Sequence, residues 1–207
     1  MNFQQLKQNY IQGLLDTNAF LIKSIDETPF TLRSGKQSYI FLDHSRVATS
    51  AKAYRAYIDV MAGLLQDMYA QSDYVLCNVD SKISAQMVGS LAYILNKPQI
   101  IFKSKALTKV EKGTQQELTG NFDWDGSVAI IDDVATGGDG TAKNVADLVK
   151  LTFPKVKNIQ IFVGFVRKIQ KTTYKMNHVV TRTELIQIVW DNLSEGQKQA
   201  IEKETKA

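Results

Sequence analysis

The sequence of 207 residues is poor in the groups that anchor most metal and nucleophile chemistry, with one cysteine and two histidines. A single cysteine excludes an internal disulfide and any zinc site built on several thiolates. Cys77 stands in the run Tyr-Val-Leu-Cys-Asn-Val, where a buried, unreactive thiol is expected. His44 and His178 have no metal-ligating company in the sequence, and each is read as a partly buried hydrogen-bonding residue. The chain also lacks a Gly-x-x-x-x-Gly-Lys-Ser/Thr loop, a Gly-x-Gly-x-x-Gly turn after a first strand and a Gly-x-Ser-x-Gly elbow. Those gaps argue against a P-loop nucleotide hydrolase, a dinucleotide fingerprint and a serine hydrolase. No apolar run approaches the ~20 residues of a membrane span. Residues 1–9 are polar with no apolar segment behind them, so no secretory signal is expected. A reducing, cytoplasmic setting is the simplest reading.

At 44% hydrophobic and 22% charged, the composition is that of a globular protein long enough to bury a full core without staples. The net charge of +4 is modest, and its distribution is more telling. Lys103, Lys105, Lys109 and Lys112 crowd one segment, opposed there only by Glu111. The mixture of Glu195, Lys198, Glu202, Lys203 and Glu204 predicts a solvated helix face. No arginine-rich or aromatic-interleaved surface is visible, so neither nucleic acid nor membrane is expected as a partner.

Hydrophobic spacing supplies the elements. Leu6, Tyr10, Ile11, Leu14 and Leu15 form a sparse helical stripe over residues 4–15, and residues 19–23 read as a short extended segment. Two strand-like runs within residues 29–43 flank Ser34-Gly-Lys-Gln37, a hairpin with glycine in its turn. Tyr54, Ile58, Met61, Leu65 and Met68 recur at helical steps over residues 51–69, after Thr49 and Ser50 as candidate caps. From Asp73 strands and helices alternate: strand 74–79, helix 83–95, strand 99–102, strand 128–131, helix 141–151 and strand 159–166. The lysine-rich stretch, ending near residue 120, lacks apolar periodicity and predicts an exposed, mobile loop or hairpin. Residues 183–206 predict a closing helical region. This alternation implies a mainly parallel α/β sheet flanked by helices, with right-handed crossovers.

One stretch concentrates the chemistry: Val128-Ala-Ile-Ile-Asp-Asp-Val-Ala-Thr-Gly-Gly-Asp-Gly-Thr141. A buried strand, a glycine-rich turn and a helix N-terminus bring free N–H groups and the helix dipole together as an anion site. The adjacent carboxylates repel phosphate and suit hydroxyl groups or a hydrated metal, so the expected ligand carries both a phosphate and a diol. Ligands of open parallel sheets bind beyond the strand C-termini. Asp80-Ser-Lys82, the segment from Lys103, residues 132–141 and Arg167 all reach that edge. Lysines, an arginine, paired acids and a backbone nest fit a heavily phosphorylated small molecule with Mg²⁺.

These residues resemble a known family. Val128-Ala-Ile-Ile-Asp-Asp-Val-Ala-Thr-Gly-Gly is similar to the phosphoribosyl diphosphate (PRPP) motif of type I phosphoribosyltransferases. Phe30-Thr-Leu-Arg-Ser-Gly-Lys-Gln-Ser resembles the base-site hairpin of the orotate phosphoribosyltransferase family. Gly164-Phe-Val-Arg167 and Thr183-Glu-Leu-Ile-Gln-Ile resemble, in order, the strand that ends in an orotate-contacting arginine and the C-terminal helix start. The resemblance implies the type I phosphoribosyltransferase fold over residues 1–207. An N-terminal, hood-like base-recognition lobe at about 1–45 would cover a PRPP-binding core with a C-terminal helix at about 46–207.

The resemblance also implies roles. Asp132 and Asp133 would hold the ribose hydroxyls, Thr136, Gly137, Gly138, Asp139, Gly140 and Thr141 would form the 5′-phosphate loop, and Val134 and Ala135 would also bind PRPP. Ser81 and Lys82 correspond to a Tyr-Lys pair of the pyrophosphate loop, serine replacing tyrosine. Arg33, in place of the family lysine, would bind orotate with Phe41, Leu42, Thr136 and Arg167. Lys103, Lys105, Lys109 and Lys112 would serve the diphosphate, Lys112 standing where the family has histidine; which lysine meets it stays open. Lys105, Lys109 and Asp133 are the implied catalytic residues. Mg²⁺ would be held mainly by PRPP and water, with no direct protein ligand. A homodimer with the 103–113 loop reaching the neighbouring site is implied as well. Asp139 in the phosphate loop and Asn78-Val-Asp-Ser-Lys-Ile depart from the family pattern. Two further readings are a transferase for another nucleobase and a PRPP- or nucleotide-binding regulatory protein without turnover.

Overall fold

The computed structural model describes residues 1–32, 35–69, 73–106, 114–119, 125–135, 140–169 and 171–206. Helix α1 (Phe3–Asp16) begins where the Asn2 side chain accepts the Gln5 N–H. It packs on α3 (Ala51–Tyr69), so closely that a Cβ at Gly13 would stand 3.1 Å from the Ala53 Cβ. Ser50 starts α3 by accepting the Ala53 N–H, as its sequence position suggested. Between them lie β1 (Phe20–Ile22), β2 (Phe30–Thr31), β3 (Gln37–Ser38), β4 (Ile40–Leu42) and the single-turn α2 (His44–Val47). Strands β2 and β3 form the expected hairpin, with Gly35 at φ +79° in its turn, a conformation costly for any residue with a Cβ. Strands β1 and β4 pair antiparallel.

The remaining strands are β5 (Tyr74–Asn78), β6 (Gln99–Ala106), β7 (Thr114–Thr119), β8 (Ser127–Ala135), β9 (Asn158–Val166) and β10 (Lys175–Thr181). They form one sheet in the order β10-β9-β8-β5-β6-β7. The first five strands in that order are parallel, and only the edge strand β7 runs antiparallel, as a hairpin with β6. Helices α3 and α4 (Lys82–Leu95) contact one face, which is lined by Leu76, Ala129, Ile131 and Phe162. Helix α5 (Thr141–Thr152) covers the other over Val75, Cys77, Val128, Ile130 and Ile161. This alternation along β5 and β8 is what a strand buried on both faces requires. Burial of Cys77 pushes its thiol up to about 12, in keeping with a core role.

Three sequence expectations need correction. Strand β8 runs on past Ile131 to Ala135, because its ladder with β9 continues through Asp132↔Val163, Val134↔Phe165 and Ala135↔Val166. Strand β10 was not anticipated: its buried Asn177 donates to the Gln160 side chain, and that paired polar group interrupts the apolar signal. The closing helical region is broken into α6 (Arg182–Val189), a 3₁₀ turn (Trp190–Asn192) and α7 (Glu195–Lys206). Thr181 and Glu184 start α6 as a capping box, and Ser194 accepts the Gln197 N–H at the start of α7. Among the described residues, no helix is long and apolar enough to cross a membrane.

Candidate active site

A cleft of about 500 Å³ opens at the C-terminal ends of β5, β8 and β9. Ser81, Asp132, Asp133, Val134, Ala135, Gly140, Thr141, Phe41, Leu42 and Arg167 all line it, joined by Leu32, Val79, Asp80, Ala142 and Phe165. Segments distant in sequence thus meet at the edge expected for a parallel sheet. Lys82 is the first residue of α4 and Lys103 lies on β6; both are exposed and neither lines the cleft. Lys105 lies on β6. Arg33, Lys109, Lys112, Thr136, Gly137, Gly138 and Asp139 fall outside the described residues.

Local bonds fix the cleft's floor. The Asn78 side chain donates to the Phe102 carbonyl and accepts the Phe102 N–H, extending the β5–β6 pairing where β5 ends. Ser84 accepts the Val79 N–H at 2.9 Å and donates to the Ile131 carbonyl at 2.5 Å, tying the β5–α4 turn to β8. Ser81 caps α4 and donates to Asp133 Oδ1 at 3.3 Å. Neither Asn78 nor Ser84 carried a sequence signal, since each acts by bonding backbone groups from another strand.

The two acids occupy unlike settings. Asp132 is buried and accepts the Asp133 N–H at 2.8 Å. Burial first, and the Asp133 charge second, push its carboxyl well above the usual carboxylate range. The Asp133 side chain is about 20% exposed and faces His44, whose Nδ1 lies 3.7 Å from Oδ2. His44 is the hydrogen-bonding residue that the sequence suggested, buried completely rather than in part. Its Nε2 meets the Tyr10 hydroxyl at 2.6 Å, and its ring stacks on Tyr57 at 4.7 Å. Burial lowers its imidazole to about 4 despite the neighbouring Asp133 and Asp43 carboxylates.

On the opposite wall, Arg167 donates from Nη1 to the Ser38 hydroxyl at 2.8 Å and from Nη2 to the Ile40 carbonyl at 2.5 Å. Burial, with help from Arg182, holds its guanidinium below the ordinary value, and Glu204 opposes that shift. Phe41 leans on Phe30 with ring centroids 5.4 Å apart, giving this end of the cleft an aromatic edge. The cleft therefore joins a carboxylate pair, a helix N-terminus and a guanidinium beside an aromatic surface. That set can hold, respectively, a diol, an anion and a planar carboxylated ring. Among the described residues, no group of three His, Cys, Asp or Glu side chains is placed to hold a metal ion.

No protein-family model matches the chain. It is 28% identical over 190 residues to an orotate phosphoribosyltransferase of Methanococcus maripaludis, covering 89% of this chain and 91% of that protein. A solved orotate phosphoribosyltransferase from Aeropyrum pernix superposes with a TM-score of 0.65 at 20% identity, over 87% of this chain and 97% of that one. The enzyme of that name from Francisella tularensis gives a TM-score of 0.64 at 18% identity, over 94% and 96%. The chain thus has the fold of the type I phosphoribosyltransferases, and the curated relatives it matches carry the name orotate phosphoribosyltransferase.

Proposed function

We propose that the protein transfers the 5-phosphoribosyl group from PRPP to orotate, giving orotidine 5′-monophosphate and pyrophosphate, a step of pyrimidine nucleotide biosynthesis. The observation that carries the reading is the meeting of Asp132–Asp133, the α5 N-terminus and Arg167 in one cleft. Asp132 and Asp133 bind the ribose hydroxyls. The backbone leading into α5, residues 136–141, binds the 5′-phosphate. Arg167 takes the orotate carboxylate, with Phe41, Leu42 and Arg33 around the ring. Residues 1–45 act as the base-recognition lobe over the 46–207 core.

Orotate N1 forms the new bond to ribose C1′ while the C1′–O bond to diphosphate breaks, leaving pyrophosphate. The sugar passes through a state with positive charge, which favours ionisation of Asp132 despite its burial. Catalysis is by positioning and by neutralising the departing charge, in which Lys105 and Lys109 take part with Lys103 and Lys112. Mg²⁺ would reside on the diphosphate oxygens and water, supplying charge neutralisation to the leaving group. A donor set with two closely spaced acids, one of them holding a backbone N–H, fits that division. A cytoplasmic homodimer, with the 103–113 loop reaching the neighbouring site, completes the reading.

The test is to mix protein, Mg²⁺, PRPP and orotate and follow orotate consumption and pyrophosphate release. Turnover with orotate alone among a panel of nucleobases is expected. Pyrophosphate release only with a different base rejects orotate as the substrate; PRPP binding without release for any base rejects catalysis.

A further inference from the structure

Glu204 sits in a helix whose charges predict a solvated face, yet the structure turns it inward. Its side chain is only 16% exposed and has four partners. It accepts the Ser38 hydroxyl at about 2.9 Å, the Tyr39 N–H at 2.9 Å and Arg182 Nη1 at 2.8 Å, and it lies 3.5 Å from Arg167 Nη1. The same helix is held from its other end. The Ile25 N–H donates to the Gly196 carbonyl at 3.0 Å and Gln197 donates to the Ile22 carbonyl at 2.7 Å, while Ala200 and Ile201 are buried. Helix α7 thus spans from the end of β1 to β3.

We infer that Glu204 is a positioning residue of the base subsite, fixing the Arg167 guanidinium against β3 and β4 so that it can receive a substrate carboxylate. The inference rests on the role given to Arg167 above. Two arginines share one carboxylate here, so the cluster keeps a net positive charge at the cleft wall. Arg182 makes the shorter contact, which leaves Arg167 held but not neutralised. Arg167 has donors to spare: of its five N–H groups, Nη1 serves Ser38 and faces Glu204, Nη2 serves Ile40, and the buried Nε–H has no acceptor among the described residues. Without Glu204, two partly buried guanidinium groups would lose the carboxylate they share. Arg167 would then swing from the cleft wall, since like charges in a partly dry site repel strongly.

The experiment compares full-length E204A and E204Q with the wild type. Steady-state kinetics give KM separately for orotate and PRPP, and amide hydrogen exchange is followed at Tyr39. E204A is expected to raise KM for orotate about tenfold or more, as loss of a partner in a buried charge cluster does. KM for PRPP should stay within about twofold, because the ribose and phosphate groups lie on other elements. E204Q keeps an acceptor for Tyr39 and Ser38, so it should rescue Tyr39 protection while leaving orotate KM raised. An unchanged orotate KM in either folded variant overturns the inference, as does an equal rise for both substrates. If the wild type does not use orotate, the functional reading falls and the positioning role falls with it. Unchanged Tyr39 exchange in E204A would separately overturn the clamp itself.

Discussion

The imidazole Nδ1 of His44 lies 3.7 Å from Oδ2 of Asp133, while its Nε2 is bonded to the Tyr10 hydroxyl. Burial keeps the Tyr10 proton in place, raising its hydroxyl well above the ordinary value; in the Nδ1–H tautomer, which turns a ring hydrogen rather than a lone pair towards Asp133, Tyr10 donates to Nε2. A neutral imidazole thereby presents a positive edge to the carboxylate assigned to the ribose. Through this contact chain helix α1 reaches the cleft.

His44 gives a pH prediction. Its folded value near 4 lies below the ordinary 6.5, so the unfolded chain binds the extra proton first. The stability it contributes is complete above about pH 6.5 and is lost as pH falls towards 4, by up to about 1.4 kcal/mol per pH unit. Denaturant titrations of wild type and His44→Leu across this range should show the wild type losing stability relative to the variant as pH falls. Parallel curves would refute it.

Asp132 shifts the opposite way. A carboxyl raised in the folded state costs stability above the unfolded value near 4, with the loss growing until the folded value is passed. Asp132→Asn should therefore raise Tm at pH 7 while lowering kcat/KM for PRPP by about 100-fold, a trade of activity for stability. Calorimetry with a progress assay measures both; a lower Tm at pH 7 contradicts the assignment.

Gly164 and Tyr57 form a steric pair. A Cβ at Gly164 would stand 2.5 to 2.9 Å from the Tyr57 ring and hydroxyl, and the buried Tyr57 stacks on Tyr10 and His44 and cannot retreat. Gly164→Ala is expected to cost about 1–3 kcal/mol by overpacking. The Tyr57 hydroxyl has no hydrogen-bond partner among the described residues. Tyr57→Phe should leave stability unchanged or higher, and combined with Gly164→Ala should recover part of the loss. Urea unfolding of the four proteins closes the cycle.

Ser84 bonds the Val79 N–H and the Ile131 carbonyl, both buried. Ser84→Ala orphans them and should cost about 1–3 kcal/mol. Because Ser81 and Asp133 stand on the segments so joined, KM for PRPP should rise as well, while Ser84→Thr, which keeps the hydroxyl, should retain most of both. Equal PRPP KM values in wild type and Ser84→Ala would show the bridge to be structural only.

How much of this was legible in the sequence depended on how local each signal was. The strand that carries Asp132 and Asp133 and the helix that follows it could be read because an apolar run and a helical stripe each constrain their own stretch of backbone. The parallel sheet followed from the alternation after Asp73. Glu204 was misread, and the Asp133 neighbour of His44 went unseen, for a common reason: each meets a segment far away in sequence, and no local pattern records such neighbours. Asn177 hid β10 because its partner Gln160 lies on another strand.

The contact between Ser38 and Glu204 joins positions 166 residues apart. Synthesis lays down the β2–β3 hairpin well before Glu204, the carboxylate that holds it. Until then the arginines at positions 167 and 182 have no carboxylate between them. A chain lacking residue 204 would keep every strand of its main sheet, the last of which ends at Thr181, yet lose the carboxylate that Arg167 and Arg182 share.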